Sequence, residues 1–222
     1  MASGAAPSPA SAAHERGKTK RRRAILDAAR DIVLREGEAG MTMRAMAALA
    51  GVSPATPYNL FGSKQAILQA IYDEDFLAYG RYFNERASKD PLIRIFDIAD
   101  ISIEYFERQP NFYRALLGIL QRNSGSPVDS ASWSLRRGYL AKLLQDCVAS
   151  GHLRNDTPID LATSAMLRIF KAISQEWVEG ALTLDDWRTE LGTSIGLVLA
   201  SLITPKGAPG LSLARERYGR VE

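Results

Sequence analysis

Residues 42–64 read TMRAMAALAGVSPATPYNLFGSK, and this stretch predicts the fold. Thr42 can cap a short helix with one apolar side, and Gly51 supplies a turn position that tolerates a positive φ angle. Ser53 and Pro54 are typical of the first residues of a second short helix, and Ser63 is a fresh helix start. Two short helices joined by such a turn form a helix-turn-helix, whose second helix has the right size for the major groove of DNA.

The same residues resemble those of a known family, the bacterial one-component regulators of the tetracycline-repressor (TetR) type. The segment AGVSPATPYNLFGSKQAIL follows that family's pattern, and ILDAARDIVLREGEAG resembles its first helix. Beyond about residue 70, only the all-helical organisation agrees. The resemblance implies a homodimeric, ligand-responsive regulator of transcription. We expect a repressor that leaves its operator when a small effector binds.

One position departs from the family pattern. Pro57 stands directly before Tyr58, where the family usually has an aliphatic residue. Proline lacks a backbone donor and disfavours helical geometry in the residue before it. We therefore expect an irregular first turn in the second helix, with a different presentation of the side chains that follow.

Most predicted DNA contacts lie in the motif. The second helix would enter the groove with Thr56, Tyr58 and Asn59 nearest the bases or the flanking phosphates, while Thr42 and Lys64 would hold phosphates at two helix starts. The full set that we predict to contact DNA also includes the basic run before the first helix: Thr42, Arg44, Ser53, Pro54, Ala55, Thr56, Tyr58, Asn59, Lys64, Arg21, Arg22 and Arg23.

Positive charge is concentrated near the N-terminus. Residues 1–64 hold ten Lys or Arg and five Asp or Glu, whereas the whole chain has a net charge of +3. The excess lies in the segment HERGKTKRRR, an arm that could follow phosphates or reach into a minor groove. The alternative is a solvated charged tail behind the Ala-, Ser- and Pro-rich segment MASGAAPSPASAA. We predict that residues 1–18 are a disordered leader.

Length and composition are consistent with a helical regulator. The 222 residues are 46% hydrophobic, enough for a sizeable core. No stretch is long and apolar enough for a membrane span, and the N-terminus lacks the apolar segment of a secretory signal. Cys147 is the one cysteine, which suits a reducing, cytoplasmic setting.

The predicted fold is all-α. A DNA-binding head spans residues 19–66 with the motif at 42–61, a helical effector-binding and dimerisation body spans 67–204, and a loosely held tail covers 205–222. Proline and glycine breaks place helices near 63–88, 91–109, 110–121, 128–150, 158–180 and 184–203.

The last two long helices are the predicted dimer interface. The resemblance implies a four-helix interface, and small residues every four positions would let another helix approach closely. The alternative is that these apolar stripes pack only within one subunit. The predicted interface residues are Leu161, Ala165, Ile169, Ile173, Gly192, Ile195, Gly196, Leu199 and Ala200.

An effector pocket is expected between helices of the body, for a small and mostly apolar molecule. The middle helices are rich in aromatic residues, although most of these would be ordinary core. We predict a wall made by Phe112, Trp133, Met166 and Phe170.

Other classes of protein are less consistent with the sequence. His14 and His152 are the two histidines, no metal-ligand spacing or phosphate loop is present, and Cys147 is better explained as a small buried residue. We expect no catalytic residue, metal or cofactor. An adaptor or architectural protein whose helix-turn-helix lacks sequence-specific DNA binding remains the alternative, because the head outside its arm is electrically neutral.

Overall fold

The structure is a computed structural model that describes residues 9–123 and 131–219. These residues form α-helices joined by short turns. The helices are α1 (Pro9–Gly40), α2 (Met43–Leu49), α3 (Ala55–Phe61), α4 (Lys64–Arg86), α5 (Pro91–Phe106), α6 (Pro110–Asn123), α7 (Ala131–Ala149), α8 (Ile159–Glu179), α9 (Leu184–Ala200) and α10 (Ala208–Tyr218). The described part of the chain has no strand, only one isolated bridge between Leu153 and Ile203. The all-α prediction is therefore confirmed.

The chain divides into two compact units, Met1–Ile71 and Tyr72–Glu222. We expected the boundary after residue 66, five residues earlier. The first turns of α4 belong to the head because Ile67, Leu68 and Ile71 are fully buried. A guanidinium nitrogen of Arg30 in α1 also donates to the Ile71 carbonyl at 3.3 Å.

The head has a small apolar core. In α1, buried residues recur at three- and four-residue intervals, which gives the helix one apolar side. They meet buried methionines from α2 and from the turn before it, so the two helices of the motif have a fixed platform. The core side chains are Ile25, Leu26, Ala29, Ile32, Val33, Met41, Met46 and Ala47.

The helices of the body begin where the proline and glycine breaks predict. Pro91 opens α5 behind Asp90, whose carboxylate accepts the N–H groups of Leu92 and Ile93. Thr183 and Asp186 form a reciprocal capping box at the start of α9. Both devices satisfy N–H groups that a helix start leaves without partners.

Two predictions about the chain ends are wrong in part. Residues 9–18 of the predicted disordered leader form the first turns of α1, while residues 1–8 lie outside the described residues. The predicted loose tail contains α10, whose Leu211, Ala214 and Tyr218 are buried. The Tyr218 hydroxyl lies 2.9 Å from both the Phe96 carbonyl oxygen and Asp100 Oδ2, so α10 is anchored on α5.

The small residues of α9 face this C-terminal helix. A Cβ on Gly192 would overlap the ring of Tyr218, and one on Gly196 would lie 3.8 Å from Leu211 and from Phe96. The prediction that this stripe faces a partner subunit is therefore wrong for both glycines. Their lack of side chains lets α10 and α5 of the same chain approach α9 closely.

Candidate functional site

The first helix of the motif starts as predicted. Thr42 is its N-cap, and the Thr42 hydroxyl accepts the Ala45 N–H at 3.1 Å. Met43, Met46 and Ala47 are buried, whereas Arg44 is exposed on the opposite side. The sequence therefore turns one side of α2 into the core and leaves Arg44 available to solvent.

The turn after α2 depends on a glycine. Gly51 has a φ of +64°. Its N–H donates to the Ala48 carbonyl, and the Val52 N–H donates to the Ala47 carbonyl. This pair of hydrogen bonds is the Schellman arrangement, which ends a helix with a residue in the left-handed region. The chain thus leaves α2 sharply and enters α3 within a few residues.

The second helix of the motif, α3, presents a polar surface to solvent. Ala55, Tyr58 and Asn59 are exposed, with 57% of Tyr58 accessible, whereas Thr56 is half-buried. Pro57 is the buried residue of the helix. Residues three and four positions apart lie on one side of a helix, so Ala55, Tyr58 and Asn59 form a common outward surface.

The expected irregularity at Pro57 does not interrupt α3. The helix runs from Ala55 to Phe61 without a break, and Pro57 lies in its first turn. The first N–H groups of any helix lack an intrahelical acceptor, so the missing donor costs no hydrogen bond there. Pro57 instead supplies the apolar group that this position turns inward.

The Ser53 side chain, at the predicted start of α3, bonds to another side chain and caps no backbone N–H group. Its hydroxyl lies 2.8 Å from the Thr56 hydroxyl, and the residue at the cap position is Pro54, which makes no side-chain cap. The Thr56 N–H donates instead to the Ser53 carbonyl at 2.9 Å. Ser53 and Pro54 are both exposed beside the start of α3.

The start of α4 closes the motif. The Ser63 hydroxyl accepts the Ala66 N–H at 3.1 Å, as expected of a cap. The Lys64 ammonium lies 3.9 Å from a carboxylate oxygen of Glu38, and Lys64 is about one third exposed. A phosphate contact by Lys64 would therefore compete with Glu38.

The three arginines of the basic arm have different surroundings. Arg22 lies over the ring of Phe61 and donates to the Leu60 carbonyl, so it connects α1 to the end of α3. Arg23 pairs with Asp27 at 3.0 Å. Arg21 makes no ion pair with any residue that the structure describes, and its side chain is exposed.

The arm is helical, which limits how it could contact DNA. Residues 13–23 continue α1. A helix is about 10–12 Å wide and the minor groove about 6 Å, so the expected entry of the arm into a minor groove does not fit this conformation. A helical arm can still place exposed charges beside phosphates.

The four predicted pocket residues are not among those that line one cleft found in the described part of the body. Phe112 and Met166 are buried, Trp133 and Phe170 are half-buried, and Phe170 packs edge-on against Trp187 at 5.6 Å. A cleft of about 370 Å³ lies elsewhere, at the start of α6 and the turn between α8 and α9. It is lined by Pro110, Asn111, Arg114, Trp177 and residues 180–184.

Several residues of the predicted dimer interface are not exposed on the outward faces of α8 and α9. Leu161 is 64% exposed, Ala165 and Ile169 are half-buried, and Ile173 is buried. In α9 the predicted Ile195 and Leu199 are buried, and Ala200 is half-buried. Leu197, which is not in the predicted set, is 68% exposed.

Cys147 lies in the interior of the body. It is fully buried, and burial raises the pKa of its thiol to about 12. A thiol with so high a pKa is protonated at neutral pH and is a poor nucleophile. The structure thus agrees with the interpretation of Cys147 as a small core residue.

Nothing in the described segments forms a metal-binding cluster of histidine, cysteine and acidic residues. Their helices also include none that is long and apolar enough to cross a membrane.

Comparisons with known proteins agree with this geometry. The family model for bacterial regulatory proteins of the tetR family matches residues 25–71, which contain the motif. No curated protein matches the chain in sequence.

Three solved structures share the fold at low identity. SmeT, the repressor of the Stenotrophomonas maltophilia multidrug efflux pump SmeDEF, is 20% identical with a TM-score of 0.62 over 83% of this chain and 91% of that chain. NalD, the secondary repressor of the MexAB-OprM multidrug efflux pump in Pseudomonas aeruginosa, is 20% identical with a TM-score of 0.61 over 86% and 99%. A TetR transcriptional regulator from Rhodococcus sp. RHA1 is 20% identical with a TM-score of 0.64 over 84% and 99%.

The fold and the motif define a helix-turn-helix protein with an all-helical body. Residues 25–71 match the DNA-binding region of the tetR family of bacterial regulatory proteins, and the fold of the chain is similar to that of solved regulators of this type.

Proposed function

We propose that the chain is a homodimeric transcriptional repressor that binds operator DNA through α3 and leaves it when a small effector binds the body. The observation that carries this proposal is the outward surface of α3. Pro57 faces the core, while Ala55, Tyr58 and Asn59 are free to meet base edges. Asparagine amides can hydrogen-bond bases in the major groove, and tyrosine can donate to bases or phosphates.

Phosphate contacts would orient α3 in the groove. Arg44, Lys64 and the exposed Arg21 supply positive charge around the motif. Because residues 24–64 carry equal numbers of acidic and basic side chains, the long-range attraction to DNA would come mainly from the arm. Arg22 already bonds to the Leu60 carbonyl and Arg23 already pairs with Asp27, so we assign the phosphate contact in this run to Arg21.

Dimerisation would use the outward faces of α8 and α9. The Trp187 indole donates to Ser174, and only residues 180–183 connect α8 to α9, so the two helices lie side by side in opposite directions. Leu161 lies about 20 Å from Ser174 along α8, and Leu197 about 15 Å from Trp187 along α9. Both exposed leucines are therefore near the same end of the helix pair, where an apolar contact with a second copy would bury them.

The body is the proposed effector-binding region. SmeT and NalD, which share the fold, are by name repressors of multidrug efflux pumps. For this chain we propose a small, mostly apolar effector. Such a molecule can release the repressor only if it binds more tightly to the conformation that cannot engage the operator.

Selection of bound sequences from a random duplex pool tests the proposal. The full-length protein should enrich one site with two-fold symmetry and half-sites about one helical turn apart. The Asn59→Ala variant, which removes an exposed amide without touching the core, should lose the preference at one or two positions of each half-site. Binding without any enriched sequence would instead support an architectural protein, which the neutral charge of residues 24–64 makes the second candidate.

A further inference from the structure

A guanidinium lies among aromatic rings where α4, α7 and α8 meet. Arg136 of α7 is half-buried, with its guanidinium carbon 5.0 Å from the ring centroid of Phe76 and 4.5 Å from that of Phe170. Its Nη2 donates to the Tyr72 hydroxyl at 2.9 Å. The charge is thus held between apolar rings from α4 and α8 instead of pointing into open solvent.

The charge on Arg136 has no carboxylate partner among the residues that the structure describes. A guanidinium has five N–H donors, and the tyrosine hydroxyl is a single neutral acceptor. The next residue in the same helix, Arg137, does have a carboxylate partner. Arg137 donates to Ser164 at 2.9 Å and lies 3.6 Å from Asp160.

Open space lies along α4 at Gly80, one turn after Phe76, the residue whose ring Arg136 contacts. Tyr72 contacts Arg136, and Phe83, about 16 Å further along α4, contacts Tyr139 of α7 at 5.9 Å between ring centroids. Phe76 and Gly80 lie in the stretch of α4 between these two contacts. Gly80 is half-buried, yet no side chain lies within 4 Å of the position that a Cβ would take.

We propose that Arg136 binds the anionic head group of the effector, and that the effector is an apolar carboxylate. This inference rests on the proposed effector-binding function of the body. The carboxylate would accept hydrogen bonds from the guanidinium N–H groups that do not bond to Tyr72. The apolar part of the effector would lie along Phe76 and Gly80. Arginine suits this task because its planar fork matches both oxygens of a carboxylate.

The aromatic surroundings favour an anion over a cation. Phe76 and Phe170 would form part of an aromatic cage for a cationic ligand, but Arg136 already lies over both rings. A partly desolvated positive charge repels a second cation and attracts an anion more strongly than an exposed one does.

Matched ligands and variants test the inference in the full-length protein without DNA. The probes are decanoate and benzoate, each compared with its alcohol, decanol or benzyl alcohol. Binding is followed by titration calorimetry and by the fluorescence of the body's tryptophans. Wild type should prefer each carboxylate over its alcohol, and Arg136→Gln should weaken carboxylate binding about tenfold or more while affecting the alcohols little.

Two further variants separate charge recognition from a structural role. Arg137→Gln, a matched change at the paired neighbour, should keep the preference for carboxylates. Tyr72→Phe frees a guanidinium donor, so it should keep or strengthen carboxylate binding. The ratio of carboxylate to alcohol affinity reports recognition even where Arg136→Gln lowers the stability of the fold.

Three results would overturn the inference. These are equal binding of carboxylates and alcohols by wild type, an unchanged affinity ratio in Arg136→Gln, and no binding of either probe class. The ligand titrations contain no DNA, so these results leave the proposed DNA-binding function to be tested separately by the selection of DNA sequences.

Discussion

The guanidinium carbon of Arg22 lies 4.1 Å from the centroid of the Phe61 ring, and an Arg22 nitrogen donates to the neighbouring Leu60 carbonyl. These contacts join the basic segment of α1 to the last turn of α3. The residue therefore belongs to the packing of the head, although its position in a run of positive charge suggested a DNA contact.

Arg22→Ala should lower the stability of the head. Loss of the ring contact and of the hydrogen bond at this exposed position should cost about 1 kcal/mol of unfolding free energy. The effect can be measured as a shift of the urea midpoint in full-length protein, followed by far-ultraviolet circular dichroism.

Arg21→Ala is the matched control for Arg22→Ala. It should leave the urea midpoint unchanged and lower the slope of log affinity against log salt by about one unit. An unchanged midpoint in Arg22→Ala, with a lower salt slope, would return Arg22 to the DNA-contacting set.

Gly192→Ala should destabilise the body by about 1–3 kcal/mol, because the new methyl group overlaps the Tyr218 ring and must displace α10. Thermal unfolding measures the effect. Gly138→Ala is the control: it is exposed in α7 with nothing near the added methyl group. That change should stabilise the protein slightly, by about 0.5–1 kcal/mol, because alanine favours a helix more than glycine does.

The same pair of variants distinguishes the two roles considered for the α9 glycines. If Gly192 faces α10, the variant loses stability and keeps its oligomeric state. A change to monomer without loss of subunit stability would instead place Gly192 at the subunit interface.

Replacing Leu161 and Leu197 together by Glu should dissociate the proposed dimer. Both side chains are largely exposed on the outward faces of α8 and α9, and burying two carboxylates in each copy of a helical interface is strongly unfavourable. Light scattering at micromolar concentration should give the mass of one subunit. Leu213→Glu changes a similarly exposed leucine of α10 and should leave the mass unchanged; dimers that survive the double change would place the interface elsewhere.

The sequence predicted the parts of the fold that depend on local chemistry. Thr42, Gly51 and Ser63 carry out the roles expected of them, because caps and left-handed turns involve residues only a few positions apart. The bounds of the helices follow equally from Pro91, Pro110 and Gly180.

Long-range packing could not be predicted in the same way. Gly192 and Gly196 form a small-residue stripe that fits a partner helix or a helix of the same chain equally well. The choice was decided by Tyr218, which follows a proline- and glycine-rich segment that looked like the start of a tail. Arg136 gave no sequence signal because its surroundings come from three helices far apart in the chain.

The most direct test of the account compares the affinities of wild type and Asn59→Ala for the selected duplex and for a scrambled duplex at one salt concentration. Recognition by α3 predicts that Asn59→Ala loses about 1–3 kcal/mol of binding free energy on the selected duplex and almost none on the scrambled one. An equal loss on both duplexes, or no loss on either, would contradict the claim that α3 reads the operator.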